Sequence, residues 1–184
     1  MTEQRRVNRG PGAAAANRAA LIAAAREVFA ESGFEAPLNL IARRAGVGQG
    51  SLYRHFADRE SLALAVFEDN VVGLEAYAAQ ADTGLDQLLE RIVDQVVTSI
   101  AFVELIDPSL TDGRLARMSS RVAALLGDHL DNARACGRVR PDLTCQDLML
   151  ALAMLAALLA RAGAEERRVL AARGWSLIEQ GLRA

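Results

Sequence analysis

The sequence contains no lysine and only two cysteines and two histidines. Cys136 and Cys145 have no further cysteine or histidine near them, so the ligand spacing of a metal site is missing. Since nucleophile motifs and cofactor loops are missing too, the residues argue against an enzyme. We expect no metal and no cofactor, and we expect the two thiols to be reduced and buried, with a redox pair as the alternative.

Long hydrophobic runs are also absent. The longest uncharged run, residues 148–160, is too short to span a bilayer, and residues 1–12 lack the apolar segment of a signal peptide. Proline is scarce and alternating β-branched runs are nearly absent, whereas alanine and leucine dominate. This composition predicts an all-α protein, which we expect to be cytoplasmic and without a membrane partner.

Arginine supplies every basic side chain, and its distribution along the chain is uneven. Residues 1–60 carry nine arginines against six acidic residues, whereas residues 61–184 carry twelve against seventeen. The first third of the chain is therefore where an anionic partner is expected to bind.

Apolar residues recur at helical spacing after a polar, basic tail at residues 1–12. The pattern predicts helices at 17–32 and from Pro37 to about 45, which Gly33 and Gly46 are suited to end, because glycine tolerates a left-handed C-terminal cap. Further helices are predicted at 49–55 and after Asp58, which can cap the fourth helix. Beyond them, helices are predicted at 85–105, at 114–135, from Thr144 to about 163 and at 164–182, with a break at 107–109. The sequence predicts about nine helices.

The stretch AGVGQGSLYRHF at residues 45–56 holds three glycines within five residues. A phosphate-binding loop would need a preceding strand and a lysine or a ribose-binding acid, but the preceding element is helical and lysine is absent. A helix-turn-helix needs a small residue at the turn, an apolar residue after it, and a short second helix with outward polar side chains. Gly46, Val47 and residues 49–55 supply these, which favours a helix-turn-helix at about 37–56.

The same residues resemble a known family. LIAAAREVFAESGFEAPLNLIARRAGVGQGSLYRHF, followed by DRESL, is similar to the N-terminal domain of TetR-type transcriptional regulators. The likeness covers about a third of the chain, and the rest matches only in kind. It implies a three-helix DNA-binding head at residues 13–76 and a helical dimerisation and ligand-binding domain at 77–184. It also implies a bacterial homodimeric repressor, a double-stranded DNA operator as partner, and release by a small-molecule inducer.

The motif also suggests which side chains contact DNA. Gln49 would open the recognition helix, where glutamine can bind adenine N6 and N7, and Arg54 can reach guanine or a phosphate. Asn39 is a further candidate for base contact. The remaining expected contacts go to phosphates or let the helix approach the duplex closely: Gly50, Ser51, Tyr53, His55 and Arg59.

Two positions depart from the family pattern. TetR-type domains usually carry Ser or Thr where Ala36, Pro37 and Leu38 stand, and that hydroxyl caps the second helix and touches a phosphate. The usual lysine at the start of the fourth helix is Arg59, which can still neutralise a phosphate. Pro37 can preset the start of the second helix, but none of these three side chains supplies the hydroxyl that makes the family's phosphate contact.

The last two helices offer a dimer interface. The helix after Thr144 carries a stripe of leucines and a stripe of alanines, so it must bury two faces. The resemblance implies that both helices build a four-helix interface with a second subunit, and a monomeric core helix is the alternative. The predicted interface residues are Ala153, Ala156, Ala157, Ala160, Leu170, Gly174, Leu177, Ile178 and Gly181.

The inducer pocket rests on the resemblance alone. No residue pattern names a ligand, and the scarcity of aromatic residues argues against a flat multidrug-type pocket. The candidate lining residues, each of which also suits plain core, are Phe102, Met118, Met149, Met154 and Trp175.

Two other functions stay open. The first is a DNA-binding regulator controlled by a protein partner or by oxidation of Cys136 and Cys145. The second is a helical interaction or scaffold protein without a DNA role.

Overall fold

The computed structural model describes residues 11–98 and 113–183 of the 184-residue chain. Within those ranges the chain is all-helical, as predicted, and its eight helices agree approximately with the nine expected. None of them combines the length and the apolar content needed to cross a membrane. The helices are α1 (Pro11–Ser32), α2 (Leu38–Arg44), α3 (Gln49–His55), α4 (Arg59–Ala78), α5 (Leu85–Thr98), α6 (Gly113–Ala135), α7 (Cys145–Ala160) and α8 (Ala164–Leu182).

The first core is enclosed by α1, α2, α3 and the first half of α4, which together form the head. Leu21 and Val28 of α1 are fully buried, which confirms the apolar face predicted for that helix. Ile41 of α2, Leu52 of α3 and Leu62 of α4 are fully buried against them. Burial of a leucine or isoleucine side chain contributes about 1.5–3 kcal/mol, so these contacts hold the short helices α2 and α3 in place.

The second core lies between the end of α4 and the helices α5 to α8. Leu74 near the end of α4 belongs to it, together with Leu88, Leu126 and Leu148 of α5, α6 and α7. Helix α4 therefore contributes to both cores, and α6 touches the head as well, through the partly buried Leu115.

Local signals end and begin the helices as the sequence predicts. Gly33 and Gly46 have φ of +78° and +65°, the left-handed region that glycine occupies without steric cost. Asp58 caps α4 by accepting a 2.7 Å hydrogen bond from the Ser61 N–H. Thr144 caps α7 in the same way, in a reciprocal pair with Asp147. The hydrogen bonds donated by Thr144 hold the pKa of the Asp147 carboxyl below its usual range.

Two helix starts differ from the predicted ones. Helix α1 begins at Pro11, so residues 11 and 12 are not part of the tail, because proline fits a first helical turn and the alanines that follow favour helix. Pro37 lies just before α2 rather than in it, with an extended ψ of 130°. The helix predicted at 85–105 is described as far as Thr98, and residues 1–10 and the predicted break at 107–109 lie outside the described residues.

Candidate nucleic-acid interface

Helices α2 and α3 are joined by a tight turn around Gly46. The Gly46 N–H donates to the Arg43 carbonyl at 3.1 Å, and the Val47 N–H donates to the Ala42 carbonyl at 2.9 Å. This is the Schellman pattern, which needs a left-handed residue at Gly46. Val47 then packs partly buried against the head core. The structure thus forms the helix-turn-helix predicted from the glycine spacing.

The two faces of α3 differ in chemistry. Leu52 and Phe56 point into the head, with 0% and 3% of their surface exposed. Gln49, Tyr53 and Arg54 are exposed, and Tyr53 keeps half of its surface in solvent. Gly50 is exposed among them, whereas Ser51 and His55 are partly buried at the flanks. Four of the predicted DNA-contacting residues of α3, Gln49, Gly50, Tyr53 and Arg54, are therefore exposed, and Asn39 is exposed on α2.

The start of α2 has no capping side chain. Pro37 makes no side-chain hydrogen bond to the first turn, and Ala36 is buried beside it. The phosphate contact that a hydroxyl would supply at residues 36–38 therefore has no donor side chain here.

Arg59 makes contacts within the head. Its Nη1 donates to the carbonyl of Phe34 and, at 2.6 Å, to the carbonyl of Ala36. Its Cζ also lies 5.4 Å from the centroid of the Phe34 ring. The guanidinium at the start of α4 thus holds the loop between α1 and α2. Sequence reasoning missed this contact because the partners lie 23 and 25 residues away and are backbone carbonyls, which carry no residue-type signal.

His55 and Arg18 lie together behind α3. The centroid of the His55 ring is 6.4 Å from that of the Phe56 ring. The Cζ of Arg18 lies over the Phe56 ring, 5.4 Å from its centroid. Both side chains line a cleft between the head and α6. Arg18 was not among the predicted site residues, since an isolated arginine on α1 has no distinguishing sequence pattern.

The dimer residues predicted on α7 and α8 fall into two groups. Ala153, Ala157, Leu177 and Gly181 are exposed, whereas Ala156, Ala160, Leu170, Gly174 and Ile178 are partly buried. A Cβ on Gly174 would lie 2.8 Å from Leu155 Cδ1, so this glycine serves the crossing of α7 and α8 within one chain. Three large apolar side chains nearby are exposed as well and are not among the predicted interface residues: Leu150, Leu158 and Val169.

The candidate pocket residues do not line one common cavity in the part of the chain that the structure describes. Met118 is buried at the cleft beside the head, whereas Trp175 lines a separate cleft of about 360 Å³ between α5 and α8. Met149 packs partly buried against the second core, and Met154 is 56% exposed. Phe102 lies outside the described residues. Helical spacing indicates which face a residue occupies, but not which cavity that face meets.

The two cysteines differ in environment. Cys136 is exposed, so the expectation that both thiols are buried is wrong for this residue. Cys145 is partly buried, and its Sγ lies 3.2 Å from the Ala123 carbonyl oxygen. Burial raises the pKa of the Cys145 thiol, which lowers its thiolate fraction and its reactivity.

Known proteins are similar to the head and, over most of the chain, to the arrangement of the helices. The family model for bacterial regulatory proteins of the tetR family matches residues 21–66. An HTH-type transcriptional repressor of Mycobacterium tuberculosis is 27% identical, over 92% of this chain and 94% of its own length. A TetR transcription regulatory protein from Mycobacterium vanbaalenii is 31% identical, with a TM-score of 0.63 over 94% of this chain and 98% of its own.

A TetR transcriptional regulator from Streptomyces coelicolor is similar along nearly its whole length. It is 30% identical, with a TM-score of 0.69 over 90% of this chain and 98% of its own. The likeness therefore includes the C-terminal helices as well as the helix-turn-helix. The chain belongs to the TetR family of transcriptional regulators and carries that family's helix-turn-helix DNA-binding domain.

Proposed function

We propose that the protein is a homodimeric repressor that binds a palindromic operator and releases it when a small molecule binds. The observation that carries this proposal is the outward surface of α3, where Gln49, Tyr53 and Arg54 are exposed while Leu52 is fully buried. A short helix anchored from within and polar outside is suited to enter the major groove. The name of the Mycobacterium tuberculosis relative, a transcriptional repressor, supports the sign of regulation.

The proposed DNA contacts divide into base contacts and phosphate contacts. Gln49 and Arg54 are our candidates for base edges, joined by Asn39 at the neighbouring surface of α2. Ser51, Tyr53 and His55 are proposed to contact phosphates, and Gly50 leaves room for the backbone of the duplex. Arg59 is better suited to positioning the α1–α2 loop, because its guanidinium already donates to two carbonyls.

The dimer is proposed to form through α7 and α8. Two recognition helices are needed to read two half-sites one helical turn apart. A patch of large apolar groups is costly to leave in water, so the exposed apolar side chains of these helices support this surface as the interface. They are Leu150, Met154, Leu158, Val169 and Leu177. We accordingly propose a DNA-binding domain that ends near residue 76, in the last turn of α4, followed by the dimerisation domain.

A small-molecule inducer is proposed as the signal. Control by thiol oxidation is less well supported, because Cys145 is partly buried and its pKa is raised. A repressor that competes for bacterial promoters acts in the cytoplasm, and we propose that location.

The test is selection of bound duplexes from a random DNA pool at physiological salt, followed by sequencing. We expect a palindromic site. Gln49→Ala or Arg54→Ala should relax preference at one base position and cost roughly 1–3 kcal/mol, whereas Tyr53→Ala should weaken cognate and random DNA equally. Weak, salt-insensitive binding with no enriched sequence would contradict the repressor and favour a scaffold protein.

A further inference from the structure

A cleft of about 310 Å³ lies where the head meets α6. One wall is formed by α1, the end of α3 and the first turns of α4, and the other by the first three turns of α6. The cleft lies behind the recognition helix, so it is separate from the outward surface of α3. Its volume falls at the lower end of the range of small-molecule sites.

The cleft carries an excess of positive charge. Arg18 lines it from the head, and Arg114, Arg117 and Arg121 line it from α6. The bidentate pair with Glu75, at 2.7 and 2.6 Å, already neutralises Arg121.

Two of these arginines form no ion pair with the residues that the structure describes. Among those residues, Glu68 is the one carboxylate that lines the cleft. Within residues 11–98 and 113–183, no carboxylate lies within ion-pair distance of Arg18 or Arg117. The two guanidinium groups face one cavity from opposite sides, one from each domain.

Part of the lining of the cleft is apolar. Phe56 and Met118, which are almost fully buried, and Leu64 and Ala65 of α4 contribute to it. Arginines beside an apolar lining match an anionic group attached to a short apolar body, because a guanidinium binds carboxylate and phosphate oxygens through two parallel N–H bonds.

We propose that this cleft binds a small organic anion, a carboxylate or a phosphate monoester with a short apolar body. An occupant that contacts Arg18 and Arg117 bridges the head and the second domain, so it couples to the orientation of the head. That regulatory consequence rests on the proposed repressor function, whereas the binding site itself does not. By linkage, the anion and the operator must change each other's affinity by the same factor.

The test is isothermal titration calorimetry on the full-length protein without DNA, with phenyl phosphate and benzoate as probes and benzyl alcohol as the neutral control. We expect saturable binding of the two anions and none of the alcohol. Arg117→Gln should weaken phenyl phosphate binding about tenfold, as loss of a charge-assisted hydrogen bond predicts. Arg18→Gln, in the opposite wall, should do the same. Arg161→Gln removes an exposed arginine outside the cleft and should leave the affinity unchanged.

Two results would overturn the site. The first is saturable binding that all three variants share equally, because the anion would then lie elsewhere. The second is absence of saturable anion binding, together with a weaker, less salt-dependent affinity of Arg117→Gln for random duplex, which would make the cleft a contact for DNA phosphates. If anion binding depends on Arg117 but the protein selects no operator from the DNA pool, the binding site is supported and the proposed repressor function is refuted.

Discussion

Replacing Arg59 by alanine removes the contact that holds the α1–α2 loop against α4. Arg59 donates to the carbonyl of Phe34 and to that of Ala36, and its guanidinium covers the Phe34 ring. A hydrogen bond from a charged donor contributes about 1.5–3 kcal/mol, and a cation–π contact about 0.5–1 kcal/mol. Since Arg59 is only partly buried, solvent weakens all three contacts, and we expect a loss of about 2–4 kcal/mol in the free energy of unfolding.

The effect is measured by thermal unfolding of the full-length protein. For a protein of this size each kcal/mol lowers Tm by about 2–4 °C, so Arg59→Ala should lower it by at least about 4 °C. Arg59→Lys should restore little, because an ammonium cannot cover the Phe34 ring and bond both carbonyls in one plane. Arg43→Ala, at the exposed end of α2, is the matched control and should leave Tm unchanged.

The opposite pattern would refute the structural role of Arg59. Arg59 is a phosphate contact if Arg59→Ala keeps the wild-type Tm but weakens binding to all duplexes. The slope of log affinity against log salt concentration should then fall by the amount expected for about one phosphate. Rescue of that binding by Arg59→Lys would support the same conclusion.

Three further predictions concern the turn, the dimer and the acid limit of stability. Gly46→Ala should cost about 1–2 kcal/mol in thermal unfolding because φ is +65°, whereas Gly73→Ala, at an exposed position inside α4 with open space for a Cβ, should stabilise by about 0.5–1 kcal/mol. Leu177→Glu should yield monomers in sedimentation equilibrium, while Val72→Glu, exposed on α4, should not. The hydrogen-bonded guanidinium of Arg121 lowers the pKa of Glu75 in the folded protein. The ionised Glu75 therefore stabilises the fold above the usual pKa of a glutamate, about 4.3, and this stabilisation is lost as the pH falls further. Glu75→Gln should therefore flatten the loss of unfolding free energy in acid, measured by urea denaturation.

The sequence predicts well those features that depend on neighbouring residues. Gly33 and Gly46 end their helices because a left-handed residue is needed there, and that need is visible in the spacing of the glycines. Asp58 and Thr144 cap α4 and α7 for a similar reason, since their partners lie three residues away. The apolar face of α1 and the split between the two faces of α3 also follow from helical periodicity alone.

Features that join distant segments are not predictable in this way. Arg59 resembles a surface cation in the sequence, and only the folded chain brings two carbonyls to it. Met118 and Trp175 have similar apolar patterns, yet they line separate clefts, because the crossing of the helices decides which side chains share a cavity. The cleft beside α6 has no motif either, since α1, α3, α4 and α6 each contribute to it.

The membership of α4 in both cores has a mechanical consequence. Its 20 residues span about 30 Å, with Leu62 buried in the head and Leu74 in the second core. A rod of that length that pivots by about 10° at its second-core end moves its other end by about 5 Å. In the proposed dimer, a tilt of this size in each subunit would move the heads by a large part of the rise of two base pairs of B-DNA, about 6.8 Å. Small repacking around Leu74 would thus be amplified along α4 into a changed distance between the two recognition helices.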